Sequence, residues 1–408
     1  MGIELKKDII KTIASKSVIL LLNFAVVVLT TQLWGDTGRG SVAIFVADLS
    51  MISILANVFT GSSVSYFFSK LGKSKIATWA YLWTFITAAV GATIILIAGD
   101  TKTAPFIFTA SALMGLVAFN NSLFIGGQKI SNYNIITMLQ PALLIVFMLL
   151  LHLLFPNLEY FCYFLAQTLS LMTVLLVCRS FRHKNGIFCQ WDFDISAGRE
   201  MFSFGWKTEL SSFLQFLNYR LTYYLLDYYI GRGSVGVFSI GVTIAEAVWI
   251  VSRSMSMVQF SNVLKLGNTR ETRRETTRIA LASLLISALC IAIIIPLPEG
   301  LFEFVFGKDF GGVGRTVLLL SPGILSIAFS NVLGNFLSAT RHLNILIIKS
   351  AVGVVFTIVL SVILIPKMQI DGACIVNSAS YLASSLVIAA YYFSLEKRNH
   401  RRQTSLNP

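Results

Sequence analysis

The chain has 408 residues, of which 55% are hydrophobic and only 12% are charged. A soluble domain carries about 25% charged residues, so this composition indicates a polytopic membrane protein and excludes an ordinary soluble fold. The net charge of +13 could indicate nucleic-acid binding. Membrane proteins, however, collect Lys and Arg in cytoplasmic loops, and no basic patch here is interleaved with stacking aromatic residues. We therefore expect the lipid bilayer, and no nucleic acid, as a partner.

The five cysteines are scattered along the chain, and no two of them have the spacing of a metal site or a redox pair. We therefore expect no metal and no cofactor. The first apolar run is too long for a cleavable signal peptide and lacks a small-residue cleavage site. It is expected to remain in the protein as a membrane anchor.

Apolar stretches predict twelve transmembrane helices, each close to the roughly twenty residues that one crossing requires. The expected fold class is therefore all-α and polytopic, and an even number of crossings places both termini on the same side of the membrane. The predicted spans are 13–33, 41–68, 77–98, 104–126, 134–154, 159–180, 205–229, 235–260, 278–298, 313–337, 343–365 and 371–394.

Basic residues are concentrated in the loops on one side of this topology, which the positive-inside rule identifies as the cytoplasmic side. They are Lys6, Lys7, Lys11, Lys70, Lys73, Lys75, Lys129, Arg179, Arg182, Lys184, Arg199, Lys265, Arg270, Arg273, Arg274, Arg278, Arg341, Lys397, Arg398, Arg401 and Arg402. The other side has only Arg39, Lys102, Arg232, Lys308, Arg315 and Lys367. We therefore expect a multi-pass protein of the cytoplasmic (inner) membrane with both termini in the cytoplasm.

The two halves of the chain carry the same short motif at corresponding places. Gly38-Arg-Gly-Ser-Val-Ala-Ile-Phe45 joins the first two predicted spans, and Gly231-Arg-Gly-Ser-Val-Gly-Val-Phe238 joins the seventh and eighth. The same order in two six-helix halves indicates a parallel internal repeat. The longest inner loop separates the halves. The expected organisation is a six-helix lobe at 1–186, a second six-helix lobe at 187–394 and a basic cytoplasmic tail at 395–408.

Predicted spans seven and eight carry charged residues at depths where hydrocarbon would surround a lipid-facing helix. Arg220 and Asp227 are seven residues apart and share one helix face, and Glu246 and Arg253 have the same spacing. A charge at mid-membrane costs roughly 2.5–3.5 kcal/mol on insertion scales. Four such residues on two adjacent helices therefore indicate a polar cavity.

Two stretches in the same spans carry a resemblance to a known family. They are Asn218-Tyr-Arg-Leu through Asp227-Tyr-Tyr-Ile-Gly, and Val235-Gly-Val-Phe-Ser with Ala245-Glu-Ala-Val-Trp. In these stretches the chain resembles the Wzx-type bacterial oligosaccharide flippases, in the superfamily that also holds the MATE exporters. The resemblance implies two six-helix lobes enclosing a V-shaped cavity, lined largely by spans one, two, seven and eight.

The resemblance also implies a substrate, a short oligosaccharide on undecaprenyl pyrophosphate. Such a flippase turns its substrate from the inner to the outer leaflet for O-antigen or capsule synthesis, by alternating access. A polysaccharide polymerase and a chain-length regulator are the further partners that this pathway implies.

Under this resemblance, polar residues of the four cavity helices become candidates for the site. Those for substrate binding are Arg220, Arg253, Lys16, Lys207 and Asn23, and those for ion coupling or gating are Asp48, Asp227 and Glu246. A diphosphate arriving from the cytoplasm would meet cations first and the outer carboxylates last, and the forked guanidinium of Arg220 matches phosphate oxygens. Two simpler interpretations stay open. Arg220 and Glu246 could form a structural ion pair, and Lys349 is expected to snorkel to the interface.

Other functions also stay open. A membrane-embedded polysaccharide polymerase usually needs a large outer loop, and every outer loop predicted here is short. The sequence also lacks a metal-ligand cluster, a phosphate-binding glycine loop and a nucleophile elbow, so we expect no enzyme. A MATE-type multidrug or cation antiporter would share the fold but typically keeps acids in its first lobe, where Asp48 is the only acid predicted to be buried. Flippases for peptidoglycan precursors usually have two further spans.

Overall fold

The structure, a computed structural model, describes the backbone of residues 2–267 and 269–406. Side chains are described for residues 15–395, apart from positions 251, 258, 261, 265, 266, 268 and 343. The basic residues expected on the inner side at Lys6, Lys7, Lys11 and Lys265, and in the tail beyond Leu395, lie outside the described side chains. Within the described backbone the elements are helices without any β-strand, which confirms the all-α prediction.

The helices are labelled in chain order. The first six are α1 (Gly2–Thr60), α2 (Ser62–Phe67), α3 (Lys73–Ile97), α4 (Ala104–Gly126), α5 (Ile130–Leu154) and α6 (Phe161–Lys184). The other six are α7 (Ile195–Tyr229), α8 (Arg232–Leu266), α9 (Arg270–Ile294), α10 (Glu299–Phe306), α11 (Val313–Ala339) and α12 (Leu343–Leu406). Gly35 (φ 63°) and Gln369 (φ 52°) leave the helical conformation inside α1 and α12, so each of these helices consists of two segments.

Nine helical stretches among the described residues are long and apolar enough to cross a membrane. Two of them, Ser15–Phe67 and Asn344–Leu395, contain 53 and 52 residues, more than twice the roughly twenty that one crossing requires. Each of the two includes one of the bends, so each provides two crossings. Helix α7 is not among the nine; it has 35 residues and carries Lys207, Arg220 and Asp227. With α7 included, the helices agree with the twelve predicted spans of a multi-pass membrane protein.

Internal contacts divide the chain into two compact units. The first unit contains the chain up to Trp34 together with Ser41–Phe213, and the second contains Gly35–Gly40 and the chain from Leu214 onward. Each unit has its own apolar core. The division therefore falls inside α7, whereas the sequence predicts a lobe boundary in the preceding loop, at 186–187.

The loop between α6 and α7 is bound to α3, within the first unit. The Lys75 ammonium lies 2.7 Å from an Asp194 carboxylate oxygen, and the Trp79 indole N–H donates to the Asp194 carbonyl at 2.8 Å. A β-carbon at Gly198 would lie 2.3 Å from the Trp79 ring, so only glycine allows α7 to approach this closely. The Thr78 hydroxyl accepts a further bond from the Asp192 backbone at 2.9 Å. These contacts explain why the beginning of α7 belongs to the first unit.

Asp194 also begins α7 as its N-terminal cap. Its Oδ1 accepts hydrogen bonds from the backbone N–H groups of Ser196, at 2.8 Å, and Ala197, at 3.4 Å. Such a cap satisfies N–H groups that have no partner within the helix. The hydrogen bond from Lys75, followed by that from the Ser196 hydroxyl, holds the pKa of the Asp194 carboxyl well below its usual range. The carboxylate is therefore ionised whenever this loop is docked near neutral pH.

Candidate substrate-binding site

Arg220 on α7 and Glu246 on α8 form an ion pair in the second unit. Arg220 Nη2 donates to Glu246 Oε1 at 2.7 Å. The two side chains remain 24% and 34% exposed, so both are partly buried and still accessible. A hydrogen bond between two ionised groups at this distance is roughly twice as strong as one between neutral groups. The two charges that the sequence places at similar depth are thus in direct contact.

A second hydrogen bond orients the Arg220 guanidinium. Its Nη1 donates to the Tyr223 hydroxyl at 2.8 Å, and its central carbon lies 5.0 Å from the centre of the Tyr223 ring. Residues three positions apart lie on the same helix face, which brings these side chains together. Tyr223 is only 4% exposed, and its ring packs edge-on against Phe238 of α8. Arg220 is therefore held by one charged and one neutral partner, each of which a ligand oxygen could replace.

Three further aromatic residues stand beside the pair and fix the helices that carry it. Tyr219, Trp249 and Tyr381 contact one another with ring centroids 5.4–5.6 Å apart. The Trp249 indole N–H donates to the Ile324 carbonyl at 3.2 Å. Trp249 and Tyr381 are buried, so they act as packing for α7, α8 and α12. Two of these ring pairs, Tyr219–Tyr381 and Trp249–Tyr381, are edge-to-face, an arrangement that contributes about 0.5–1.5 kcal/mol beyond the area that it buries.

A buried polar network attaches α7 to α12 next to Arg220. The Asn218 side-chain oxygen accepts from the Ser380 hydroxyl at 2.5 Å, and its Nδ2 donates to Ser384 at 3.3 Å. A β-carbon at Gly353 would lie 2.5 Å from Asn218 Nδ2, so the two helices approach at a glycine. A satisfied polar network at low dielectric selects one helix register. The network thereby fixes how α7 is oriented against α12, and with it the direction in which Arg220 points.

The other predicted site residues of the second unit do not join the pair. Asp227 forms its own ion pair with Arg232, at 3.1 Å, in the turn between α7 and α8. Arg253 is exposed on α8 and has no ion-pair partner among the described residues. Lys349 on α12 is not a site candidate but is expected to snorkel to the interface; it is partly buried, again without an ion pair in the described part of the chain.

The remaining predicted residues belong to the first unit. Lys16 and Asn23 are exposed on α1, and Lys207 is exposed on α7. Asp48 on α1 is buried, with 5% exposure. Their convergence with Arg220 and Glu246 on one cavity stays a prediction.

Sequence reasoning missed the packing of the repeated Gly-Arg-Gly-Ser turn. It predicts Arg39 as an outer-loop cation, whereas Arg39 is 8% exposed and donates from Nε to the Ser239 hydroxyl at 3.1 Å. A β-carbon at Gly40 would lie 1.9 Å from the Arg232 carbonyl, and one at Gly236 would lie 2.0 Å from the Asp36 carbonyl. The two copies of the motif therefore pack backbone against backbone. The repeat itself was the available signal, because glycines that recur in corresponding turns indicate close approach.

The donor set of this site suits an anion. Among the described residues, no group of three or more His, Cys, Asp or Glu side chains is placed to hold a metal ion. Arg220 offers a planar array of N–H donors, which matches carboxylate and phosphate oxygens in two-point contacts. Its carboxylate partner supplies a counter-charge while no ligand is bound.

Comparison with known proteins shows what part of the chain is similar to. Residues 128–313 match the model of a family described as polysaccharide biosynthesis protein. The capsular polysaccharide biosynthesis protein CapF of Staphylococcus aureus is 25% identical over 203 residues, or 49% of this chain and 51% of CapF. The match spans about half the length of the curated relative.

Solved structures with a similar fold include two transport proteins. An inward-facing MATE multidrug transporter of the MOP superfamily has a TM-score of 0.73 at 13% identity, over 95% of this chain and 99% of the transporter. The lipid II flippase MurJ, in an inward closed conformation, has a TM-score of 0.72 at 13% identity, over 95% and 87% of the two chains. These similarities show that the chain has the fold that its resemblance to the Wzx-type flippases and MATE exporters implies.

Proposed function

We propose that this protein is a flippase for lipid-linked oligosaccharides. It moves undecaprenyl-pyrophosphate-linked repeat units from the inner to the outer leaflet for synthesis of a surface polysaccharide, O-antigen or capsule. The observation that carries the proposal is the partly exposed Arg220–Glu246 pair on α7 and α8. The match of residues 128–313 to a polysaccharide biosynthesis family model and a fold similar to that of a lipid II flippase support the same assignment. The reaction is transport, without a chemical step, and a polymerase and a chain-length regulator would act on the product.

The Arg220 site works by exchange of partners. In the empty protein, Glu246 occupies one side of the guanidinium and Tyr223 the other. An entering diphosphate offers several anionic oxygens and displaces Glu246, which then remains as a nearby negative charge. This charge weakens the hold on the diphosphate and keeps binding reversible. Membrane potential contributes about 2.3 kcal/mol per charge per 100 mV, so an anion leaving a negative-inside cell moves downhill.

Transport in a flippase-deficient strain tests this role of Arg220. Arg220→Ala is expected to abolish complementation, because the charged contact is lost and Glu246 is left without a counter-ion. Arg220→Lys is expected to retain partial function, since the charge survives and the forked geometry does not. Lys75→Ala is the matched control, because it breaks an ion pair of the same length at 2.7 Å in the first unit.

Protein level in the membrane must be measured beside transport. The double variant Arg220→Ala with Glu246→Ala separates anchoring from folding, because it leaves neither charge unpaired. We expect it to be well expressed and inactive. Normal transport by this double variant would show that the pair is structural and that Arg220 does not anchor the substrate.

The proposed location is the bacterial cytoplasmic membrane, with both termini in the cytoplasm. Single cysteines at Thr101 and Gln190, both exposed, report on the two sides in a background without the five native cysteines. Thr101→Cys is expected to react with an impermeant thiol reagent in intact cells. Gln190→Cys is expected to react only after permeabilisation, because basic loops remain inside. The reverse pattern would refute the proposed orientation.

A further inference from the structure

An open groove of about 780 Å³ lies in the first unit, and Arg220 is not among its lining residues. One wall is formed by α2 and the turn after it, with Tyr66 and Lys70. The other wall is formed by the first turns of α7, with Arg199, Phe204 and Lys207. The positive-inside rule places these chain segments at the cytoplasmic surface, where a lipid-linked substrate would arrive.

The groove has more positive than negative charge. Its lining includes the cations Lys70, Arg199 and Lys207 and a single carboxylate, Glu200. None of the three cations forms an ion pair within the described part of the chain. By contrast, the neighbouring Lys75 is neutralised by Asp194. One guanidinium and two ammonium groups facing the same space can neutralise a phosphorylated ligand, with arginine supplying the two-point contact.

An aromatic surface lies beside these charges. The rings of Tyr66 and Phe204 are stacked, with centroids 4.5 Å apart and planes within 12°. Tyr66 nevertheless remains 48% exposed, and the Lys70 ammonium lies 3.7 Å from the centre of its ring. An exposed tyrosine offers an apolar face, on which the C–H face of a sugar ring can pack, and a hydroxyl for hydrogen bonding. A sugar attached to a phosphate would find both kinds of contact in this groove.

We propose that the groove is a loading site, which binds the diphosphate and first sugar of a lipid-linked oligosaccharide before the head group moves into the protein. This proposal rests on the proposed function for the identity of the substrate and does not depend on Arg220. A phosphate could also come from the head group of an ordinary anionic phospholipid. The two sources differ, because only the lipid-linked substrate carries both a diphosphate and a sugar.

Binding to the full-length protein in lipid nanodiscs tests the loading site. In this assay every groove variant and its wild-type-groove reference carry Arg220→Ala, so that the Arg220 site does not contribute. The probes are a polyprenyl diphosphate carrying one N-acetylhexosamine, the same lipid without the sugar, and phosphatidylglycerol. The Arg199→Ala/Lys207→Ala variant is expected to have an affinity about ten-fold lower, or lower still, for both diphosphate probes, because charge-assisted contacts are lost. Tyr66→Ala is expected to lower the affinity for the sugar-bearing probe and to leave the affinity for the other two probes unchanged. Lys73→Ala, a change to a cation outside the lining, is expected to leave the binding of all three probes unchanged.

A change of opposite sign sharpens the test. Glu200→Gln removes the single carboxylate of the lining and should strengthen binding of both diphosphate probes. Diphosphate binding at the wild-type level by the Arg199→Ala/Lys207→Ala protein would overturn the proposal. Equal competition by phosphatidylglycerol would also overturn it, in favour of an anionic-phospholipid site.

Two readouts separate this proposal from the proposed function. Arg220→Ala is expected to abolish transport and to leave binding in the groove unchanged. If the wild-type protein does not transport lipid-linked sugars, but the groove substitutions still remove diphosphate binding, the proposed function alone fails. If the wild-type protein transports them and the groove variants bind and transport normally, the loading site alone fails.

Discussion

Two ion pairs in this protein have the same N–O distance, 2.7 Å, but different surroundings. Lys75 and Asp194 meet where a loop docks on α3, and neighbouring backbone and indole hydrogen bonds hold the same loop. Arg220 and Glu246 join two transmembrane helices, and Tyr223 is the further partner of the guanidinium. The Lys75–Asp194 pair is one of several contacts that hold the loop. The Arg220–Glu246 pair instead places two charges in transmembrane helices, where few other polar partners exist.

The difference shows that ion-pair geometry alone does not reveal a role. In the loop, water can replace either partner, so the pair adds little beyond the other contacts. Within the membrane-spanning helices, removing one partner leaves the other with a costly unpaired charge. A charged residue inside a transmembrane helix indicates a functional role, because an intramembrane charge lowers stability unless it is compensated. The predictions below compare the two pairs through thermal unfolding of the purified protein.

The largest effect is expected at Arg220. Arg220→Ala alone should lower the free energy of unfolding by about 1–3 kcal/mol, less than the roughly 3–5 kcal/mol of a fully buried pair, because both side chains are partly exposed. The Arg220→Ala/Glu246→Ala double variant should lose less than the sum of the two single changes, since it leaves no unpaired charge. A double-mutant cycle on the melting temperature measures this coupling. Additive losses would show that the two charges do not interact.

A smaller effect is expected from Trp79→Phe. The change removes the indole N–H that donates to the Asp194 carbonyl at 2.8 Å but retains most of the aromatic packing. Losing one neutral hydrogen bond should lower stability by about 1 kcal/mol. Trp83→Phe is the matched control, because its indole N–H donates to the Leu55 carbonyl at the same distance and does not touch the loop. Faster proteolysis of the α6–α7 loop in the Trp79 variant alone would locate the effect there.

The smallest effect is expected from Asp194→Asn, and it should depend on pH. The folded protein holds the Asp194 pKa below its usual range, chiefly through Lys75. The stabilisation is therefore fully present above the unfolded-state pKa of about 4 and is lost as the pH falls through the lower folded-state value. The melting temperatures of wild type and variant should differ near neutral pH, begin to approach each other below about pH 4, and converge only when the pH falls below the folded-state pKa of Asp194. A constant difference at all pH values would contradict this account.

Much of the fold follows from local features of the sequence. The predicted end of the fourth span coincides with the end of α4 at Gly126, and the fifth span ends with α5 at Leu154. Apolar runs of spanning length must satisfy their backbone hydrogen bonds internally, so helices are the structures available to them. Gly35 lies between the first two predicted spans and bends α1 there, as expected of a residue that tolerates positive φ.

The candidate site was predictable in part. Arg220 and Glu246 stood out because charge is rare within apolar helices, and opposite running directions of consecutive spans place them at similar depth. Asp227 shares a helix face with Arg220 by its spacing, yet it pairs with Arg232 and not with the Arg220 site. The direction of a side chain around a helix depends on how that helix is rotated against its neighbours, and charge spacing does not reveal this rotation.

The sequence by itself determined the all-α class, the positions of the spans and the embedded charges, because hydropathy and charge act over a few turns of one helix. Only the tertiary structure decided that Arg39 is buried beside Ser239, that Asp194 docks its loop on α3, and that Asn218 meets Ser380. Each of these contacts joins residues more than a hundred positions apart. Close packing at such distances depends on the simultaneous shape of several helices, which no local pattern contains.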